Sequence, residues 1–140
     1  MDIKNNNQYR ELPTCKQLER AISQNFYACN RQTIGYSPQK INCTIFENYL
    51  VIVGEEAITP LESTIRNSGR VEILREVRRS INQALQSQLE KSIKNIAKVE
   101  VIDSICQLNF DTGRLMAIAL LQQPPQTRSK KISRKVEKHE

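Results

Sequence analysis

The most constraining feature of this sequence is a pattern that occurs twice: a threonine-capped helix followed by two stretches of alternating apolar residues. The first unit begins at Thr14 and ends with the stretches 41–46 and 50–53. The second begins at Thr59 and ends with the stretches 99–108 and 115–121. A helix and a half-buried strand each need cover for one apolar face, so both units favour a sheet covered by helices. Most apolar side chains are therefore expected to serve the scaffold.

The helix starts carry clear local signals. Thr14 and Gln17 have the spacing of a capping box, in which each residue satisfies the other's backbone amide. Thr59 is followed by Pro60, which is favoured at the first helical position. Ser68-Gly69 predicts a break between a short helix and a longer one. We therefore expect one helix in the first unit and two in the second.

The strand stretches are separated by turn residues. Glu47-Asn48 and Asp111-Thr112-Gly113 lie between apolar runs, which is typical of hairpins. The predicted class is α+β in the order α-β-β-α-β-β, with a four-stranded antiparallel sheet and helices packed on one face. We expect a disordered N-terminus over residues 1–12, one domain over 13–122 and a disordered basic tail over 123–140.

The net charge of +6 lies mainly in that tail. Residues 123–140 carry six basic and two acidic side chains, so the rest of the chain is close to balanced. Such a segment can attract phosphate backbones or anionic surfaces, although a solubilising end is the simpler interpretation. The basic residues are Arg128, Lys130, Lys131, Arg134, Lys135 and Lys138.

Residues for catalysis are scarce. The only histidine, His139, lies in the tail, and the four cysteines form no C-x-x-C pair, so we predict no metal and no cofactor. Asp111-Thr112-Gly113 matches the tripeptide of aspartic proteases, but that chemistry needs two such carboxylates and a glycine-rich flap. We interpret it as a turn. An enzyme using Glu55, Glu56 and Asp111 ranks third among the functional hypotheses, and we predict a non-catalytic protein.

The location is expected to be cytoplasmic. No run in the sequence approaches the roughly 18 consecutive apolar residues that a membrane-spanning helix needs. Residues 1–8 are polar and rich in asparagine, unlike the apolar core of a signal peptide.

The long second-unit helix suggests two interaction surfaces. Leu85, Leu89 and Ile93 belong to its apolar stripe, and we expect them to be divided between the core and a second copy in a homodimer. Four arginines near the Ser68-Gly69 break form a candidate anion contact, with a solvated helix face as the alternative. They are Arg70, Arg75, Arg78 and Arg79. Together with the tail they support nucleic-acid binding as the alternative function.

Several short stretches together resemble the MpsC-like family, named after a Na+-translocating membrane-potential-generating system, in its cyanobacterial form. The matching stretches are 13–14, 18–24, 57–62, 68–70, 75–79 and 111–114, and the likeness spans about residues 13–122. The resemblance implies a small, non-enzymatic cytoplasmic domain, accessory to a membrane ion or inorganic-carbon transport system. It also implies a membrane transporter as a partner and supplies no catalytic residues.

Overall fold

The computed structural model describes residues 12–128, and its helices and strands follow the predicted order. Each half of the chain contributes one hairpin, and the second half divides its helical part in two. The elements are α1 Cys15–Ile34, β1 Gln39–Phe46, β2 Tyr49–Glu55, α2 Pro60–Asn67, α3 Val71–Ala97, β3 Val101–Asn109 and β4 Arg114–Leu121. Residues 1–11 and 129–140 lie outside the described part of the chain.

The helix ends confirm the capping signals. The Gln17 backbone N–H donates to Thr14 Oγ1 at 3.1 Å, and Gln17 Oε1 accepts from the Thr14 N–H at 2.9 Å. Thr59 and Glu62 repeat this exchange at the start of α2, at 3.2 and 3.0 Å. Gly35 ends α1 in the left-handed conformation, with φ of 83°, which a residue without Cβ adopts easily.

The sheet joins the two halves at its centre. Its strand order is β1-β2-β4-β3 with every pair antiparallel, so the contact between halves is the β2–β4 pairing. Both hairpin turns lie where the sequence predicts them. This arrangement confirms the predicted α+β class and the four-stranded antiparallel sheet.

The helices within residues 12–128 all pack on one face of the sheet, which we call the inner face. Helix α1 packs on β1 and on α3, α3 packs on β3, and α2 packs on α3. The centre of the core is formed by large apolar side chains with 0–1% exposure, contributed by α1, α3, β2 and β4. They are Ile22, Phe26, Leu50, Ile52, Leu89, Ile93, Leu115 and Leu121.

Small residues on the inner face let other parts of the chain approach the sheet closely. Ala117 and Ala119 of β4 are 1% and 0% exposed beneath the helices. Gly54 is buried in β2, and a Cβ there would lie 2.7 Å from Pro38 Cβ. The loop between α1 and β1 therefore crosses the sheet where no side chain fits.

Two predicted boundaries differ from the structure. Lys98, with φ of 59°, turns the chain after α3, so β3 begins at Val101 and buried Val99 precedes it. The segment 123–128, predicted as part of a disordered tail, packs back onto the domain. Pro125 is buried, and the Arg128 N–H donates to the Pro13 carbonyl at 3.0 Å.

Both edge strands receive side-chain hydrogen bonds from a helix. Glu19 Oε2 of α1 accepts from the Ile45 N–H of β1 at 2.7 Å. Gln86 Nε2 of α3 donates to the Ser104 carbonyl of β3 at 3.0 Å. These contacts occupy backbone groups that an added strand would otherwise pair with.

Gly54→Ala is expected to lower the free energy of unfolding by about 1–3 kcal/mol, because the new methyl group overlaps Pro38 Cβ. Chemical denaturation measures this change. The matched background is Pro38→Gly, which removes the overlapped atom, so adding Gly54→Ala there should cost less. An equal cost in both backgrounds would show that the close approach is not the cause.

Candidate functional site

The other face of the sheet, the outer face, has no helix over it among the described residues and is largely apolar. Cα pairing aligns Thr44, Val51, Ile118 and Ile105 in one row across all four strands. A neighbouring row contains Phe46, Tyr49 and Leu120, and another contains Val53 and Met116. Six apolar side chains of these rows are exposed, from 36% at Val51 to 66% at Phe46, whereas Val53 and Leu120 are half-buried.

The exposed apolar residues of the outer face form one continuous patch and are not scattered singly over the surface. Its apolar side chains are contiguous, because they come from adjacent strands about 4.8 Å apart. Contiguous exposed apolar surface is typical of protein interaction sites. The exposed apolar residues are Phe46, Tyr49, Val51, Ile105, Met116 and Ile118, with Ile102 at the β3 bulge beside them.

Charged groups lie at the two ends of the outer face. At one end the Arg114 Nε donates to both Glu55 carboxylate oxygens at 3.2 Å. Asp103 lies at the other end, in the row of Leu120, and its carboxylate accepts from the Ser104 N–H at 2.9 Å. The two central rows carry no charged residue, so the middle of the face can be desolvated at little electrostatic cost.

The most buried charged groups form an ion pair that the sequence analysis did not predict. Glu62 is 0% exposed and Arg78 is 6% exposed. Arg78 Nε donates to Glu62 Oε2 at 2.7 Å, and an Arg78 terminal nitrogen contacts Glu62 Oε1. The same arginine donates to the Ala57 carbonyl at 3.2 Å and to Asn82 Oδ1 at 3.0 Å. The pair fastens α2 and the preceding loop to α3.

This ion pair removes one of the four residues, Arg78, from the predicted anion contact. Arg78 is enclosed and already neutralised, so it neither lies on a solvated helix face nor offers its charge to a ligand. Arg70, Arg75 and Arg79 are exposed. Arg75 and Arg79, together with the paired Arg78, line an open groove of about 370 Å³ beside Phe110.

The three leucine and isoleucine residues assigned to a dimer contact are also placed differently. Leu85, Leu89 and Ile93 are 3%, 1% and 0% exposed, beneath α1 and against the sheet. Their side chains leave almost no accessible surface for a second copy to contact. A helix covered on two sides buries a wider stripe than a helix on a sheet alone.

The three carboxylates of the enzyme hypothesis have different surroundings. Glu55 is paired with Arg114, Glu56 is exposed after β2, and Asp111 is exposed in the β3–β4 turn. Asn109 Oδ1 accepts from the Asp111 and Thr112 amides there, which supports the turn interpretation. Within residues 12–128 no group of three or more His, Cys, Asp or Glu side chains could hold a metal ion.

Two cysteines behave as core residues. Burial raises the pKa of Cys43 to about 12, with a smaller contribution from Glu19 and then Cys15. Burial raises the pKa of Cys106 to about 11, although the positive charge of Arg78 acts in the opposite direction. Both thiols are therefore protonated and poorly nucleophilic near neutral pH.

Lys130, Lys131, Arg134, Lys135 and Lys138 lie outside the described residues, and only Arg128 lies within them. No helix in residues 12–128 is both long enough and apolar enough to cross a membrane.

The outer face was missed although the sequence contains a signal for it. Residues 115–121 and 49–53 are apolar without alternation, as expected for strands whose two faces are both apolar. Because the helices of residues 12–128 pack on only one side of this sheet, the second apolar face remains exposed in the described domain.

The family model described as "Na+-translocating membrane potential-generating system (MpsC)" matches residues 14–123 of this chain. No curated protein matches, and no solved structure matches. The matched range includes every helix and strand of the fold.

Arg78→Ala is expected to lower the free energy of unfolding by about 3–5 kcal/mol, because it leaves the buried Glu62 carboxylate without a counter-charge. Denaturant titration measures the change. Arg79→Ala, at the exposed neighbouring position, should cost less than about 0.5 kcal/mol. Combining Glu62→Gln with Arg78→Met should restore part of the lost stability. Equal costs for the Arg78 and Arg79 variants would contradict the role of the ion pair.

Proposed function

Because this chain belongs to the MpsC family, described by a Na+-translocating membrane potential-generating system, we propose that it is a non-catalytic cytoplasmic accessory protein of a membrane ion transport system. In this proposal it acts by binding other proteins. The membrane components of the system supply the transport path. This domain binds the parts of those components that face the cytoplasm, or holds such parts together.

The observation that carries the proposal is the exposed apolar outer face. Burying apolar surface contributes about 25 cal/mol per Å², and this face gains none of that stabilisation within one copy of the described domain. Its central residues, Val51 and Ile118, are 36% and 51% exposed although they occupy the middle strands of the sheet. Side chains of this kind in the middle of a sheet favour contact with another protein surface.

The distribution of charge supports the same proposal. The most enclosed charged pair, Glu62 and Arg78, holds helices together. The surface charges of Arg114 and Glu55 are paired at one end of the outer face. The polar groups thus serve the scaffold and the boundary of the apolar surface, as they do in protein interfaces with an apolar centre and a polar rim.

Nucleic-acid binding is the second candidate function, and the exposed arginines of α3 favour it. Arg75 and Arg79 belong to none of the ion pairs in residues 12–128, so their charges are available to phosphate groups. Arg70 is exposed just before α3. The tail residues would add positive charge. This candidate predicts binding that weakens steeply with salt, whereas contact through the apolar face depends little on salt.

Co-sedimentation with native membrane vesicles tests the proposed function. The full chain should sediment with inside-out vesicles, which expose cytoplasmic surfaces, and not with right-side-out vesicles. Protease treatment of the vesicles before mixing should remove the binding, because the partner is a protein. Vesicles made only from the extracted lipids serve as the control. The Ile118→Lys variant should lose most of the recovery, whereas Ile73→Lys, a charged substitution on exposed α3 surface, should retain it.

Equal recovery with lipid-only vesicles would contradict the proposal and indicate a lipid-binding protein. Absence of recovery with inside-out vesicles, combined with salt-sensitive binding to a random oligonucleotide, would favour the second candidate. In that case Arg75→Gln and Arg79→Gln should weaken oligonucleotide binding and reduce its salt dependence.

A further inference from the structure

We propose that the outer face is covered by a second copy of this chain, packed sheet against sheet around a two-fold axis. This inference rests on the proposed function and deepens it: the protein surface that covers the outer face is a second copy, and the membrane partner binds the dimer, so Ile118→Lys lowers membrane recovery by breaking the dimer. The self-association site is therefore on the outer face and not at Leu85, Leu89 and Ile93 of α3, which lie in the core. The occupant is identified by the chemistry of the face itself.

The centre of the face is compatible with a copy of itself. A two-fold contact brings one patch onto the same patch, so a patch with a central charge would place like charges together. Here the central row consists of Thr44, Val51, Ile118 and Ile105, none of which is charged. The next row contains Asn42, Val53, Met116 and Gln107, also uncharged. Two such faces can therefore be buried together without an unpaired charge at the centre.

The ends of the face provide charge complementarity. Asp103 lies at one end, and Arg114 with Glu55 lies at the other. A two-fold axis that runs across the strands reverses the second sheet end for end. The Asp103 end of one copy then lies over the Arg114 end of the other, so an acidic group approaches a basic one. An axis along the strands would instead place β3 over β1, so that Asp103 would face the apolar Phe46 of the other copy, which favours the reversed arrangement.

The size of the face is close to what a stable dimer requires. Four strands spaced about 4.8 Å apart, with six or seven residues each at about 3.3 Å, give a flat area of roughly 400 Å² per copy. Two copies give about 800 Å² before the protruding side chains are counted. Since these side chains present more accessible area than a flat sheet, the contact reaches the range of about 1,000 Å² expected for a specific interface.

The other occupants fit less well. The parts of the chain outside residues 12–128 are mainly polar and contain few apolar side chains to fill the face, namely Met1, Ile3, Tyr9, Ile132 and Val136. Strand addition at an edge would leave the face uncovered. It would also compete with Glu19 at β1 and Gln86 at β3, which already bond to edge backbone groups. Face-to-face packing buries the exposed side chains and leaves those bonds intact.

Sedimentation velocity on the purified full chain tests this inference without any other component. The expected result is a concentration-dependent shift from one to two chain masses between about 1 and 100 µM. Ile118→Lys places a charge in the central row of both copies and should weaken the dimer at least about 100-fold. Ile73→Lys introduces the same charge on α3 and should leave the dimer unchanged. Circular dichroism confirms that each variant is folded.

Val51→Thr provides a second variant, because threonine keeps the shape and strand preference of valine while adding a polar group. It should weaken the dimer by a smaller factor than Ile118→Lys. A wild-type chain that stays monomeric at about 100 µM overturns the inference. A dimer that Ile118→Lys leaves intact overturns it as well.

The vesicle experiment separates this inference from the proposed function. A monomeric chain whose membrane recovery is lost in Ile118→Lys shows that the face binds a different protein, so the inference falls and the function stands. A dimer that breaks in Ile118→Lys but never sediments with inside-out vesicles shows the reverse. A monomer whose recovery is unaffected by Ile118→Lys contradicts both.

Discussion

The fold depends on one constraint: the helices of the described domain all pack on the same face of a single four-stranded sheet. The central β2–β4 pairing joins the two halves, and the small residues Gly54, Ala117 and Ala119 make room for what packs on the inner face. Core formation is therefore complete on one side of the sheet. The opposite side carries apolar side chains of the same strands, and this asymmetry is the physical origin of the candidate site.

The most enclosed charged groups of the described domain hold its helices together. Glu62 and Arg78 are buried and paired with each other, and the Glu62 carboxylate also caps α2 by accepting from the Thr59 amide. The Glu62 carboxylate thus stabilises the start of α2 and the contact between α2 and α3. The arginine that it holds in place also donates to the Ala57 carbonyl of the preceding loop. Desolvation offsets much of the attraction within a buried ion pair, so its net contribution to stability is smaller than its contacts alone would suggest.

The features that could be predicted from the sequence are those specified by neighbours along the chain. Thr14 and Thr59 cap helices through residues three positions away, and the 47–48 and 111–113 turns define hairpins locally. The burial of Arg78 depends on Glu62, sixteen positions earlier, reaching it in the folded state. The core position of Leu89 depends on α1 packing against α3, which a helical stripe does not encode. The outer face could be predicted only in part. The unbroken apolar runs of β2 and β4 indicate that both faces of the sheet are apolar, but they do not indicate which face the helices cover.

Oxidation of Met116 by hydrogen peroxide measures most directly whether the outer face is covered in the working protein. Met116 lies in β4 and is 45% exposed on that face in a single copy, and the only other methionine of the chain is Met1. Sulfoxide formation requires access of peroxide to the thioether sulfur. Mass spectrometry of the full chain should show the Met116 oxidation rate falling as protein concentration rises, because the second copy shields the sulfur. A Met116 oxidation rate that stays the same at every protein concentration would contradict the account.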